Sequence, residues 1–262
     1  MIRWQRIIAR GISEISGALP FQVRPRLGYR VLMYHAIGTP VPNDRLGIYN
    51  ICPKRFREHM LLLKKRQDLV LVPLTATHNV DQLEVALTFD DGYKDNLIIA
   101  APILQELEIP FTVFVTAQSV RECQPGFLTP SDLYQLSIMS GVTIGAHGNT
   151  HIPLVECSAT QLKVELTDSK RYLEEITNLP VNCMSYPHGS VNPRVIDAVV
   201  NAGYDFAATS RFNINRNETN PFLLARTDIH ANDNNRVFLQ KIQGEWDWYS
   251  KRNLFSNSRD LN

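Results

Sequence analysis

Short apolar runs recur along the chain, separated by stretches with helical spacing. Val31 to Tyr34, Val70 to Pro73, Val85 to Phe89, Thr112 to Val115, Val142 to Ala146, Cys183 to Tyr186, Phe206 to Ala208 and Phe222 to Ala225 read as strands. Between them, Pro53 to Arg66 carries Phe56, Met60, Leu61 and Leu63 with basic residues interleaved. Asn96 to Leu107, Pro130 to Met139, Ser158 to Ile176 and Pro193 to Ala202 supply further helices, with start signals at Ser158 as a cap and at Pro130 and Pro193 in first turns. Strands alternating with helices imply an α/β fold with a parallel sheet and helices outside. About eight strands without a linker favour a barrel over an open sheet. The pattern divides the chain into an N-terminal lead-in over 1–28, a barrel over 29–245 and a C-terminal tail over 246–262.

In such a barrel, chemistry gathers where strands end and loops begin. Asp90 and Asp91 follow the third predicted strand, His147 the fifth and His188 the sixth. Two adjacent carboxylates repel, and the pair is explained if a cation holds one and leaves the other free as a base. His147 and His151 stand four apart, so a helical segment would put both imidazoles on one face, able to share an ion. Asp-Asp-Gly is more often a turn than a ligand, and His-x-x-x-His is a frequent coincidence. Their joint placement at strand ends makes a metal site the stronger reading.

Charge and composition narrow the partners. A formal net charge of +1 over 262 residues, with no long run of one sign, gives no reason to expect nucleic acid. Cys52, Cys123, Cys157 and Cys183 lack the paired spacing of a zinc or redox motif and read as reduced, mostly buried thiols. No uninterrupted apolar run of about 18 residues occurs, so no membrane-spanning helix is expected. Trp4, Ile7, Ile8, Ile12 and Ile15, interrupted by arginines, form an amphipathic pattern rather than the h-region of a signal peptide. That helix either packs on the barrel or rests on a membrane surface. The expected location is cytoplasmic, or peripheral at the inner membrane face.

The motifs taken together resemble the polysaccharide deacetylase family, the NodB-like family 4 carbohydrate esterases. The resemblance spans roughly Tyr29 to Arg226. It rests on Val31-Leu32-Met33-Tyr34-His35, Leu87-Thr88-Phe89-Asp90-Asp91-Gly92-Tyr93, Phe111 to Val115, Ile144-Gly145-Ala146-His147 with His151, Ser185-Tyr186-Pro187-His188-Gly189, and Ala202-Gly203-Tyr204-Asp205. It implies a distorted (β/α) barrel with seven or eight parallel strands. It also implies a divalent metal, most often zinc, on Asp91, His147 and His151, with Asp90 as general base. The substrate class it implies is an N-acetylated sugar or polysaccharide; the lack of a secretion signal and the amphipathic N-terminus turn the expectation toward a glycan or lipid-linked sugar at the inner membrane face, in surface-polysaccharide or glycolipid metabolism. Hydrolysis of another acyl or cyclic amide, or a catalytically silent carbohydrate-binding barrel, are the competing readings.

In the family a backbone N–H of the third motif stabilises the oxyanion, which maps onto His188, with Pro187 and Gly189 fixing the loop. Many members begin that motif with an arginine that orients the base, and this chain has Ser185. Arg226 is the candidate replacement. His230 is the candidate acid for the leaving amine, with protonated Asp90 as the alternative. Tyr93, Tyr186 and Pro187 are candidate substrate contacts, His35 lies at the same rim, and Trp246 and Trp248 offer further stacking faces. His59 and His78 are assigned no function.

Overall fold

The structure, a computed structural model, describes residues 27–42, 44–77, 79 and 81–248. The N-terminal amphipathic segment, His78 and most of the expected tail lie outside them. The strands are β1 (Gly28–Tyr34), β2 (Leu69–Leu71), β3 (Leu83–Phe89), β4 (Phe111–Val115), β5 (Val142–Ala146), β6 (Cys183–Ser185), β7 (Phe206–Ala208) and β8 (Arg226–Asp228). All pair in parallel in the order β7-β6-β5-β4-β3-β1-β8, with β2 alongside the first half of β3. A bridge from Ala208 to Leu224, just before β8, nearly closes the sheet into the expected distorted barrel.

Helices clothe the outside: α1 (Pro53–Lys64), α2 (Ala101–Glu106), α3 (Ala117–Arg121), α4 (Pro130–Ser137), α5 (Ala159–Lys163), α6 (Ser169–Thr177), α7 (Pro193–Asn201) and α8 (Asn235–Gln243). Their ends follow the local chemistry. Thr129 and Ser158 form capping boxes with Asp132 and Gln161, while Asn192 and Asn234 cap α7 and α8. Two helices predicted as continuous are widened by π turns, Asn96–Ala100 before α2 and Val164–Asp168 between α5 and α6. α3 and α8 were not predicted.

Strand alternation sorts side chains between two cores. Tyr29, Val31, Ala86, Phe114, Cys183, Phe206 and Ala208 fill the barrel interior, while Leu32, Leu87, Val113 and Met184 meet the helices. Gly145 makes room in this interior, because a Cβ there would come 2.4 Å from the Phe114 ring. Outside the wall, buried Arg30 pairs with Asp247 through contacts of 3.0 and 3.1 Å and with Thr227 at 3.0 Å. The packed body therefore runs past Glu245, through Asp247.

Two expectations need correction. The last strand is Arg226–Asp228, because Pro221–Leu223 forms a 3-10 turn whose Phe222 N–H is capped by Asn220 at 2.8 Å. Arg226 thus opens that strand instead of ending it. Cys52 and Cys123 are exposed, so only Cys157 and Cys183 are the buried thiols expected, and all four are free. No helix among the described residues is long and apolar enough to cross a membrane.

Candidate active site

The inward column of β3 is Ala86, Thr88 and then Asp90, which lies just past the strand and enters the barrel mouth by simple alternation. Asp91, one residue on, would face away. Its φ of 75° swings it back, and Gly92 at 82° continues the turn. One local irregularity thus presents two adjacent carboxylates to one cleft. The cleft is about 640 Å³ and is lined by Asp90, Asp91, His147, His151 and Arg226 among others.

The imidazoles arrive on the loop after β5, and that loop is not helical as the His-x-x-x-His spacing suggested. Gly148 and His151 both sit at left-handed φ, 71° and 62°, and the two rings stand 4.9 Å apart. His147 Nε2 lies 3.4 Å and His151 Nε2 3.3 Å from the same oxygen, Asp91 Oδ1. One donor atom from each residue falls within 4.8 Å of the others. Two nitrogens and one oxygen converging this closely fit a zinc-type ion and leave coordination positions open.

Ser185 explains why His147 offers Nε2. Its carbonyl lies 3.0 Å from His147 Nδ1 and can only accept, so Nδ1 carries the proton. Ser185 Oγ is also 2.6 Å from Nδ1 and donates to Asp90 Oδ1 at 3.3 Å. Burial lowers the His147 pKa to about 4, leaving the ring neutral.

Arg226 reaches Asp90 with two parallel contacts, Nη1 to Oδ1 at 2.6 Å and Nη2 to Oδ2 at 2.7 Å. The guanidinium is fixed in turn by Thr209 O at 2.8 Å and Thr88 Oγ1 at 3.3 Å. Burial alone would push the Asp90 carboxyl up, but Arg226 and then His147 more than offset it and hold it below the ordinary range. Asp90 Oδ2 lies 4.0 Å from His147 Nε2, beside the metal trio without belonging to it.

The other predicted residues divide. His188 adopts φ 57°, stands 4.5 Å from the His151 ring and donates through Nε2 to His151 O at 3.1 Å. Gly189 is required beside it, since a Cβ would come 1.9 Å from Ser210 Oγ. Pro187 does not line the cleft; it backs onto Gly148, whose Cβ would meet its Cγ at 3.2 Å. Tyr93 and Tyr186 border the cleft, but at 3% and 1% exposure neither presents a ring face for stacking on a sugar. Tyr93 stacks on Phe127 at 4.8 Å, while Tyr186 donates to Phe222 O at 2.9 Å.

His230 contacts Asp228 through Nε2, and Asp228 lines the cleft while His230 stands behind it. His35 lines the cleft. His59 is buried and stacked on Phe238 at 4.0 Å. Trp246 and Trp248 flank Asp247 and do not reach the cleft.

Sequence reasoning missed Glu165. This buried carboxylate accepts from Asn149 N at 2.8 Å and Thr150 N at 3.0 Å, inside the histidine loop. The available signal was its position: Leu162, Glu165, Leu166, Ser169 and Leu173 form one buried stripe, where a carboxylate is out of place.

Residues 77–207, half of the 262-residue chain, match the family described as polysaccharide deacetylase. Over 186 residues the chain is 27% identical to YxkH of Bacillus subtilis (strain 168), a protein bearing a polysaccharide deacetylase name, covering 69% of this chain and 63% of that one. The chain therefore spans less than two thirds of that relative. A polysaccharide deacetylase from Bacillus cereus superposes with TM-score 0.71 at 26% identity, over 82% of this chain and 69% of that one. The Streptococcus pyogenes deacetylase PplD, solved with acetate, gives TM-score 0.73 at 22% identity over 83% and 99%, a likeness of fold. With its family match laid over a nearly closed parallel barrel and that cleft, the chain belongs to the polysaccharide deacetylase family.

Proposed function

We propose that the protein is a metal-dependent hydrolase that removes acetyl groups from an N-acetylated sugar or polysaccharide. The observation that carries the reading is the convergence of Asp91, His147 and His151 on one point, with Asp90 immediately beside it. Asp91, His147 and His151 would hold the ion, and the donor set favours zinc. A divalent ion bound there supplies a Lewis acid for the amide carbonyl and lowers the pKa of water.

The remaining work falls to the chain's own groups. Asp90 takes the proton of the attacking water, and Arg226 keeps that base ionised and fixed in direction while buried. The backbone N–H of His188, on its left-handed turn, would be the donor for the developing oxyanion. His230 stands behind Asp228 and away from the cleft, so the proton Asp90 has taken from the water is the one returned to the leaving amine. The substrate belongs to surface-polysaccharide or glycolipid metabolism.

The test is acetate release from a chitin-type N-acetylglucosamine oligomer by zinc-loaded protein, with Asp90→Asn as control. Acetate from the wild type and a loss of at least about 100-fold in the variant is the expected result. Full activity in Asp90→Asn would remove the assigned base. No acetate from any acetylated glycan would favour the silent binding barrel.

A further inference from the structure

We infer that Glu165 is a positioning residue for the histidine loop, setting metal affinity through that loop without touching ion or substrate. The inference rests on the metal-site reading above. Glu165 neither belongs to the converging trio nor lines the cleft. Its carboxylate reaches the loop from behind, carried inward by the π turn Val164–Asp168. Ser169 stabilises that widened turn by donating to Glu165 O at 2.6 Å.

The loop is held from several sides at once. From α3, Ala117 N–H donates to Gly148 O at 3.2 Å and Gln118 N–H to Asn149 O at 2.8 Å. His188 takes His151 O at 3.1 Å. Glu165 supplies the opposite polarity, accepting the Asn149 and Thr150 N–H groups and the Thr150 hydroxyl at 2.5 Å. These two amides lie between the left-handed Gly148 and His151, the residues whose φ values turn both imidazoles toward Asp91.

Gly148 belongs to the same device, since a Cβ there would come 3.0 Å from Glu165 Oε2. Removing the carboxylate leaves two inward N–H groups without their acceptor and lets His151 drift from its partner oxygen. The carboxylate also adds a negative charge behind the site, which favours a cation in front of it.

The experiment uses the whole 262-residue chain. Zinc affinity is measured by competition with a chromophoric chelator, and amide hydrogen exchange on the metal-free protein, for wild type, Glu165→Ala, Glu165→Gln and Thr150→Val. Glu165→Ala is expected to weaken zinc binding about 10–100-fold. It should also release protection of the Asn149 and Thr150 amides while the barrel strands stay protected. Glu165→Gln keeps an acceptor oxygen and recovers part of the affinity. A residue serving stability alone would lower the melting temperature and leave zinc affinity and those two amides unchanged; that result overturns the inference and spares the metal site. Should Glu165→Ala not fold, wild-type affinity in both Glu165→Gln and Thr150→Val overturns it equally. A wild type with no affinity for zinc removes the metal-site reading and this inference together.

Discussion

Arg226 and Asp90, 136 residues apart in the chain, meet inside the barrel mouth through two contacts of 2.6 and 2.7 Å, with both side chains almost wholly buried. Arginine's planar fork matches a carboxylate at both oxygens, so the pair fixes orientation as well as charge. Ser185, where the family resemblance leads to the expectation of an arginine, instead links His147 to Asp90. The positive charge enters from β8.

Arg226→Met is expected to lower kcat/KM by at least about 100-fold through misplacement of the base. Asp90 would be left buried without its cation, so its pKa rises. The acidic limb of the kcat/KM profile then moves to higher pH. An unshifted limb at reduced rate would show that Arg226 acts otherwise than on Asp90.

On the proposed metal site, His147→Ala is expected to abolish stoichiometric zinc binding while leaving far-UV circular dichroism unchanged, because His147 stands on a rim loop just past β5. Metal content after dialysis and a thermal scan read the two effects separately. Global unfolding would contradict the placement of this residue as a ligand.

Asp247→Ala strands Arg30 inside the outer layer, and loss of one partner of a buried pair costs about 3–5 kcal/mol. The double variant Arg30→Met with Asp247→Leu should recover most of that in urea unfolding. Equal destabilisation by single and double variants would mean that packing, not charge, matters at this point.

Stability should fall as pH drops from about 6.5 towards 4, in part through His59. Burial lowers its pKa to about 4 in the fold. Between the two values the unfolded chain binds a proton that the folded one refuses, which weighs against folding. The effect is bounded at about 3 kcal/mol. His59→Leu should flatten the difference in unfolding free energy between pH 7 and pH 5 relative to wild type.

The sequence carried the barrel and the site to different depths. Most strands were legible because they are apolar on both faces, as a parallel sheet between barrel core and helices requires. β8 was not: Arg226 and Asp228 point into the cleft, so the strand that completes the site has no apolar signal, and the neighbouring Phe222 to Ala225 drew the assignment. The residue types and order of Asp90, Asp91, His147 and His151 marked the cluster, but their geometry depends on left-handed turns at Asp91, Gly148 and His151 that no periodicity encodes. Arg226 was reachable by asking what replaces a missing charge. Glu165 was hidden inside a helix read as continuous, where a π turn aims it inward.

The ladder also orders events during synthesis. β1 lies between β3 and β8, and its Arg30 is bonded to Thr227, 197 residues later, and to Asp247 beyond that. A nascent chain that has emerged only as far as β7 holds one side of its first strand unpaired, and Asp90 waits beside a mouth with no cation. The Arg226–Asp90 pair and the closure of the barrel are completed by the same late strand, so a partly made chain presents neither. Pairings of such sequence separation form slowly, and the exposed edge of β1 is the surface that a chaperone would have to shield until Arg226 arrives.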